Sequence, residues 1–170
     1  MTLEAKAAVA LIETTQGPPA VLLIRRASRD GDPWAGHWAL PGGRRQHDDA
    51  DLLATALRET REECGITIPR ESLLRDCGTH HAGRHVGHPI PVAVYHFRID
   101  HRPRITPEPT EVAASHWCPL VYLRDRSAHR RGCVNRHQPH AEYPYLPVQD
   151  HPLWGFTYGV VMDWIEHRRS

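Results

Sequence analysis

Three glutamates fall on one face of a predicted helix in the first half of this 170-residue chain. Glu59, Glu62 and Glu63 are three and four residues apart, and residues with these spacings lie side by side on an α-helix. Like charges placed in this way destabilise a helix unless a cation lies among them. Arg58 is four residues before Glu62 and can hold that carboxylate in place. Grouped carboxylate oxygens suit Mg²⁺ or Mn²⁺ rather than Zn²⁺.

The helix that carries these glutamates is predicted over residues 49–64. Asp48 and Asp49 are suitable N-caps, and Asp51 adds a negative charge to the first turn, where the helix dipole favours it. An apolar stripe follows at helical spacing, made of Leu52, Leu53, Ala56 and Leu57. Gly65 comes after the last helical residue and fits a left-handed C-cap.

A tight backbone segment precedes this helix. Pro41, Gly42 and Gly43 are consecutive, and glycine lets carbonyl and amide groups approach a metal ion or a phosphate closely. Arginines near this segment are candidate phosphate contacts, because a guanidinium binds phosphate in a bidentate manner. These candidates are Arg26, Arg44 and Arg45. The alternative is that they are simply solvated.

The rest of the chain predicts strands mixed with a second helix. Strands are predicted over residues 5–13, 20–24 and 92–99, and a short one begins at Trp117. A Gly-Pro turn at 17–19 predicts a hairpin, and apolar spacing predicts a helix over 156–167. Residues 124–148 are rich in Arg, His and Pro and are predicted to be irregular. This pattern indicates an α/β fold, and the length indicates one domain over 1–170.

The composition argues against several classes of protein. The 21 basic and 20 acidic residues nearly cancel, so neither a general nucleic-acid binder nor a membrane-surface binder is indicated. No apolar run approaches the ~18 residues of a membrane span. The N-terminus lacks the pattern of a signal peptide, and the four cysteines include no C-x-x-C pair. We therefore expect a cytoplasmic protein with reduced thiols.

The segment from the double glycine to the end of the first helix resembles the signature box of the Nudix hydrolases. The matching positions are Gly43, Asp49, Arg58, Glu59, Glu62, Glu63, Gly65 and Ile66. Leu40-Pro41-Gly42 belongs to the same pattern, and the box spans residues 43–66. Nudix enzymes hydrolyse a nucleoside diphosphate linked to another moiety, using a divalent metal ion. The resemblance implies an α/β/α sandwich around a mixed β-sheet.

The resemblance also implies roles for individual residues. The metal ligands for Mg²⁺ or Mn²⁺ would be Glu59, Glu62, Glu63 and the carbonyl of Gly42. Arg58 would orient the carboxylates. The candidates for the base that deprotonates the attacking water are Glu63 and Glu111, because Glu111-Val112 followed by Trp117 is a recurring Nudix pattern. The implied partner is a small nucleotide substrate, and the family also admits a homodimer.

Several details resemble one Nudix branch, the coenzyme A diphosphatases. The box holds one residue more than the common form between Gly43 and Arg58, and Asp49 stands where a glutamate is usual. Leu153-Trp154-Gly155-Phe156-Thr157 before the final helix also looks like that branch. Asp32 departs from it, because the branch usually has an arginine there. The resemblance therefore implies hydrolysis of coenzyme A or a derivative, with nucleotide sugars, ADP-ribose and dinucleotides as alternatives.

Two functions of other classes stay open. One is a Nudix-like module that senses a nucleotide without hydrolysing it, although such modules are expected to have lost carboxylates from the box. The other is a histidine-rich metal carrier, because the chain has 14 histidines. The candidate ligands for the carrier are His80, His81, His85 and His88, and separately Cys133, His137 and His140.

Overall fold

The structure is a computed structural model that describes residues 4–32, 34–83, 87 and 89–168. Its strands are β1 (Ala7–Thr14), β2 (Ala20–Arg26), β3 (Trp38–Ala39), β4 (Gly42–Arg44), β5 (Leu73–Ala82), β6 (Ile90–Ile99), β7 (Val112–Pro119), β8 (Arg130–Gly132), β9 (Tyr143–Val148) and β10 (His151–Trp154). Its helices are α1 (Leu52–Cys64), α2 (Leu120–Arg124) and α3 (Gly155–His167), with a short 3₁₀ turn at Arg70–Ser72. In the described part of the chain, no helix is long and apolar enough to cross a membrane.

The main sheet is mixed. Its strands follow the order β3-β2-β1-β6-β5, and β4 and β7 pair with β1 and β2. β1 runs parallel to β6, while its pairings with β2 and β4 are antiparallel. A smaller antiparallel sheet has the order β10-β9-β8. The predicted fold class is confirmed, and so is the predicted pairing of the first two strands.

Both faces of the main sheet are covered, because its central strands are apolar on both sides. Alternate residues of β1 point to opposite faces: Ala10 and Ile12 pack in the cluster that contains α1, and Leu11 packs in the cluster that contains α3. The α3 cluster also contains Leu146 and Leu153 from the smaller sheet. The core is therefore two layers, one on each side of the sheet.

A buried ionic cluster ties α3 to the end of the main sheet. Glu13 is fully buried on β1, where His96 donates from Nε2 to Glu13 Oε2 at 3.1 Å, and Arg98 and Arg168 also bind this carboxylate. Trp164 Nε1 donates to His96 Nδ1 at 3.2 Å, which leaves the proton on Nε2 of the neutral ring. Burial alone would raise the pKa of Glu13, but the hydrogen bonds from His96 and Arg168 lower it to about 2.

The structure corrects the predicted start of α1. The helix begins at Leu52, and its N-cap is Asp51, whose side chain accepts from the Ala54 amide at 2.7 Å. Asp48 is exposed, and Asp49 is turned inward to other partners, so neither caps the helix. The predicted C-cap is confirmed, because Gly65 has φ 67° and its amide donates to the Arg61 carbonyl.

Two other sequence predictions are wrong in part. Residues 124–148 were expected to be irregular, yet they include β8 and β9, whose short strands pair despite their arginines and prolines. Trp117 was expected to begin a strand, but it lies near the end of β7. The strand β5 was not predicted, because most of its residues are polar and partly exposed.

Candidate active site

The double glycine lies where β4 packs on the first residues of β1. Gly42 is opposite Val9 and Gly43 is opposite Ala8 in the antiparallel pairing. A Cβ on Gly42 would lie 2.3 Å from the Ala8 carbonyl oxygen, and a Cβ on Gly43 would lie 2.5 Å from Oε1 of Glu59. Only glycine therefore lets this strand approach both β1 and the glutamates of α1.

Arg58 joins the acidic residues of the site. Its Nη1 donates to Glu59 Oε1 and to Glu62 Oε2, each at 2.9 Å. Its Nε and Nη2 donate to the two carboxylate oxygens of Asp49 at 2.9 and 3.0 Å, and Nη2 also donates to the Arg44 carbonyl. One guanidinium thus holds three carboxylates and the end of β4 together.

Asp49 is the fixed end of this arrangement. Its carboxylate is buried and accepts from the Gln46 amide and the Thr55 hydroxyl, each at 2.9 Å, in addition to Arg58. The hydrogen bonds from Arg58 hold the pKa of Asp49 well below its usual range. This carboxylate therefore orients Arg58, and the longer loop before α1 is what turns it inward.

Glu63 is the buried glutamate of the cluster, and Glu59 is half-buried. Glu63 Oε2 accepts from the Gly42 amide at 2.9 Å, and burial raises the pKa of Glu63 to about 8. Burial also raises the pKa of Glu59, although Arg58 opposes the shift. Both groups are thus held where additional positive charge would stabilise their ionised forms.

A cavity of about 170 Å³ lies where β4, α1 and two loops meet. Its ionisable lining residues are Glu59, Glu63, Glu111, Arg26, Arg29 and Asp32. Gly42 and Gly43 form part of its wall. The structure therefore brings together three of the four glutamates that the sequence singled out, although they come from α1 and from the loop before β7.

Glu62 and Glu111 lie at more open positions than Glu59 and Glu63. The Glu62 side chain is 45% exposed, is held by Arg58 and does not line the cavity. Glu111 lines the cavity from the loop before β7, and its Oε1 lies 3.4 Å from Arg29 Nη2. The structure thus places these two predicted site residues on different sides of the α1 cluster.

The predicted phosphate-binding arginines have different surroundings. Arg26 lines the cavity and pairs with Asp32 at 2.9 Å. Arg44 lies beside the double glycine on β4. Arg45 donates to the carbonyls of Asp49 and Ala50, so its guanidinium is engaged by the loop that precedes α1.

Sequence reasoning missed Arg29 as part of the site and treated Asp32 only as a departure from the branch. Both lie in the loop after β2, which has no periodicity from which their direction could be read. The loop is fixed by backbone hydrogen bonds, including one from the Ala27 amide to the Glu111 carbonyl at 2.8 Å. This contact between distant segments places Arg29 beside the cavity.

A second and larger pocket, of about 350 Å³, adjoins the first. The two share Arg26, Gly42 and Gly43. The rest of the larger pocket is lined mainly by apolar and aromatic residues, among them Trp34, Trp38 and Trp154. A ligand that spans Gly42 and Gly43 would therefore contact acidic groups on one side and an apolar surface on the other.

The residues of the smaller cavity fit a divalent cation in the chemistry of their donors. The acidic side chains supply oxygen atoms, which hard cations such as Mg²⁺ prefer. Among the described residues, no three His, Cys, Asp or Glu side chains are grouped as a ready-made metal site. Glu59 and Glu62 contact Arg58 instead, and Glu63 contacts the Gly42 amide.

The histidines considered as carrier ligands are dispersed or fall outside the description. His80 and His81 lie on β5, whereas His85 and His88 lie outside the described residues. Cys133 and His140 are exposed, and His137 lines the larger pocket.

Comparisons with known proteins agree with this fold. The family model of the NUDIX domain matches residues 3–137. The mitochondrial coenzyme A diphosphatase NUDT8 of Mus musculus is 45% identical over 56 residues, which are 33% of this chain and 27% of that protein. Nudix hydrolase 15, mitochondrial, of Arabidopsis thaliana is 30% identical over 158 residues, which are 91% of this chain and 54% of that protein.

Solved structures show the same fold. The NUDIX domain of Shewanella oneidensis NrtR, complexed with ADP ribose, has a TM-score of 0.66 and 17% identity, and the match covers 100% of this chain and 91% of that one. The matches with the first four curated relatives span between 16% and 54% of those proteins. The resemblance to the coenzyme A diphosphatase branch is confirmed over the short matched stretch. Because the family model covers most of the chain, and the mixed sheet and the box helix are both in place, this chain belongs to the Nudix family.

Proposed function

We propose that this protein is a metal-dependent hydrolase of the pyrophosphate bond in a nucleoside diphosphate linked to another moiety. The observation that carries the proposal is the position of Arg58, which holds Asp49, Glu59 and Glu62 together beside the double glycine. The buried carboxylates next to this arginine attract a cation, and Arg26 and Arg29 line the same cavity. The cavity thus combines groups for a cation with groups for an anionic substrate.

We assign the residues as follows. Glu59, Glu62, Glu63 and the Gly42 carbonyl would hold Mg²⁺ or Mn²⁺. When bound, such an ion supplies positive charge that offsets the charge of the diphosphate and activates water. Arg58 orients Glu59 and Glu62. Arg26, Arg44 and Arg45 are the proposed substrate contacts.

Two carboxylates are candidates for the base that accepts the proton of the attacking water. Glu63 is buried against Gly42, and Glu111 comes from the loop before β7. Both line the cavity, so each is within the space that a water would occupy beside the diphosphate. Glu111 is also held by Arg29, which gives it a defined direction.

Coenzyme A or a derivative is the proposed substrate. Three features support it: the longer box with Asp49, the Leu153–Thr157 segment and the match to the coenzyme A diphosphatase NUDT8. ADP-ribose, which the structure of the NrtR domain contains, is the alternative together with nucleotide sugars and dinucleotides. We further propose a cytoplasmic protein that needs neither nucleic acid nor a membrane and that acts alone or as a homodimer.

The first experiment is a Mg²⁺ titration of coenzyme A hydrolysis with the products resolved by chromatography. We expect 3′,5′-ADP and a phosphopantetheine, with no turnover when the metal is removed by a chelator. Turnover of ADP-ribose, a nucleotide sugar or a dinucleotide, with no turnover of coenzyme A, would refute coenzyme A as the substrate. The assignment as a pyrophosphate hydrolase would stand. Thermal stabilisation by these nucleotides with no product from any of them would instead indicate a sensing module.

Charge-removing variants test the metal assignment. Glu59→Gln and Glu62→Gln each remove one charge at nearly constant size, and we expect turnover to fall more than tenfold, as losses of metal-site groups usually do. Glu166→Gln, an exposed glutamate on α3, is the matched control and should retain the parent rate. Metal-dependent turnover within tenfold of the parent in both test variants would refute the assignment.

A further inference from the structure

The larger pocket is continuous with the proposed catalytic cavity but differs from it in charge. Of the described residues that line it, only Arg26 and Arg44 carry a permanent charge, and both lie at the side of the double glycine. The remaining described lining is uncharged apart from two histidines, and burial lowers the pKa of one of them, His37. The described lining therefore offers no permanent cation deep in this pocket to a second phosphate or a carboxylate.

Two of the three tryptophans that line the pocket, Trp38 and Trp154, do not form a slot for a flat base. Trp154 meets His37 at an interplanar angle of 75° and Tyr143 at 49°. Trp38 is almost fully buried, and its Nε1 donates to the Val148 carbonyl at 3.0 Å. Stacking of a base needs an open ring face. Trp38 and Trp154 are packed against neighbours, whereas Trp34 is 40% exposed. The pocket offers ring edges and aliphatic surface, which suit a flexible chain.

Two polar side chains are buried in this otherwise apolar wall. Asn135, in the loop between β8 and β9, is 5% exposed, and Thr157, in the first turn of α3, is 6% exposed. Asn135 Oδ1 accepts from the His137 amide at 3.0 Å, which leaves the two N–H donors of its amide. Within the described residues, neither those donors nor the Thr157 hydroxyl has a hydrogen-bond partner. These atoms keep some solvent access where they line the pocket, so both can reach a ligand there.

We propose that this pocket binds an uncharged, amide-bearing arm of the substrate, with Asn135 donating to a carbonyl of that arm and Thr157 forming a second hydrogen bond. The inference rests on the proposed function, because it assigns the moiety beyond the diphosphate. The pantetheine end of coenzyme A has this chemistry, since it joins aliphatic carbons to two amides. The β8–β9 loop is then a specificity element, and the adenosine end lies outside the pocket.

The test is direct binding of pantetheine, which carries no phosphate, to the metal-free full chain. Binding is followed by calorimetry and by the fluorescence of the tryptophans in the pocket. Asn135→Asp keeps the acceptor for the His137 amide and replaces the donors, and Thr157→Val removes the hydroxyl at nearly constant shape. We expect each to weaken binding about tenfold, or about 1.4 kcal/mol. Cys133→Ser, an exposed position of the same loop, should leave affinity unchanged.

The outcomes separate this inference from the proposed function. Equal or tighter binding of adenosine, no pantetheine binding, or unchanged affinity in both folded variants would overturn the pocket assignment. Hydrolysis of coenzyme A without pantetheine binding would refute the pocket assignment and leave the proposed activity in place. If pantetheine binding depends on Asn135 but no nucleotide is hydrolysed, the proposed hydrolase activity is refuted and the pocket assignment is supported. Far-ultraviolet circular dichroism and Tm confirm that each variant is folded.

Discussion

Arg58 contacts three carboxylates at once, which a lysine in its place could not do. Its planar guanidinium contacts both oxygens of Asp49 through Nε and Nη2, while Nη1 reaches Glu59 and Glu62. A lysine offers one compact ammonium group and cannot satisfy these directions at the same time. The geometry of the glutamates therefore depends on the shape of this side chain as well as on its charge.

We expect Arg58→Lys to reduce turnover about ten- to hundredfold and to raise the Mg²⁺ concentration for half-maximal activity, because residues that orient metal ligands act through those ligands. The measurement is kcat and KM across a metal titration. Arg61→Lys on the exposed face of the same helix is the control and should match the parent. A Mg²⁺ dependence equal to that of the parent would contradict an orienting role for Arg58.

The sequence predicted much of this site because helical spacing is a local property. The grouping of Glu59, Glu62 and Glu63 with Arg58 follows from a period of 3.6 residues. Arg29 and Asp32 could not be predicted in the same way, because their positions depend on a loop that packs against Glu111, 82 residues from Arg29 in the chain. Asn135 is a similar case, since only tertiary packing brings it to the pocket.

At the scale of elements, the start of α1 is set by Asp51 and not by the two aspartates before it. Asp51 accepts from the Ala54 amide and also pairs with Arg70. Asp49 has its oxygens engaged by Arg58, Thr55 and the Gln46 amide. Asp51 thus caps the helix, whereas Asp49 orients Arg58. Local helix propensity does not distinguish these two roles.

We expect Asp51→Ala to cost about 1 kcal/mol of unfolding free energy, because the first turn loses the acceptor for an unpaired amide. In a chain of this length the corresponding fall in Tm is about 2–4 °C. Asp48→Ala is the matched control, since that side chain is fully exposed and contacts only His47. Equal losses in both variants, measured by thermal denaturation, would refute the assignment of the cap.

The strands that the sequence failed to predict are those whose apolar residues do not recur at regular spacing. β5 alternates poorly because none of its residues is buried and its pairing with β6 shifts register at two places. β8 is three residues long and has two exposed arginines. Such strands form because a neighbour supplies the pairing, as β6 does for β5 and β9 does for β8. Pairing between strands is not visible in the local pattern of either one.

At the scale of the whole molecule, Glu13 connects the central strand to the last helix. The folded protein holds the pKa of this carboxylate at about 2, against an ordinary value of 4.5. Its contribution to stability is therefore complete above about pH 4.5 and is lost as the pH falls toward 2, because the unfolded chain takes up the proton first. The full shift corresponds to roughly 3 kcal/mol.

We expect the unfolding free energy of the parent to fall by about 2 kcal/mol more than that of Glu13→Gln between pH 6 and pH 3. Urea titrations at a series of pH values measure this difference. Glu71→Gln, at an exposed position, should follow the parent curve. If Glu13→Gln showed the same pH dependence as the parent, the pKa of Glu13 would be the same in the folded and unfolded states, which would contradict this prediction.

The junction of the two cavities at Gly42 and Gly43 divides the protein into separable modules. Side chains that would hold the ion lie on α1, whereas Asn135 and Thr157 come from the smaller sheet's loop and from α3. On the proposed assignments, changes in the β8–β9 loop would alter the substrate while the proposed metal ligands on α1 stay untouched. A change of substrate could therefore be sought by randomising the β8–β9 loop alone. Gly42 and Gly43, which lie between the two cavities, would be kept constant.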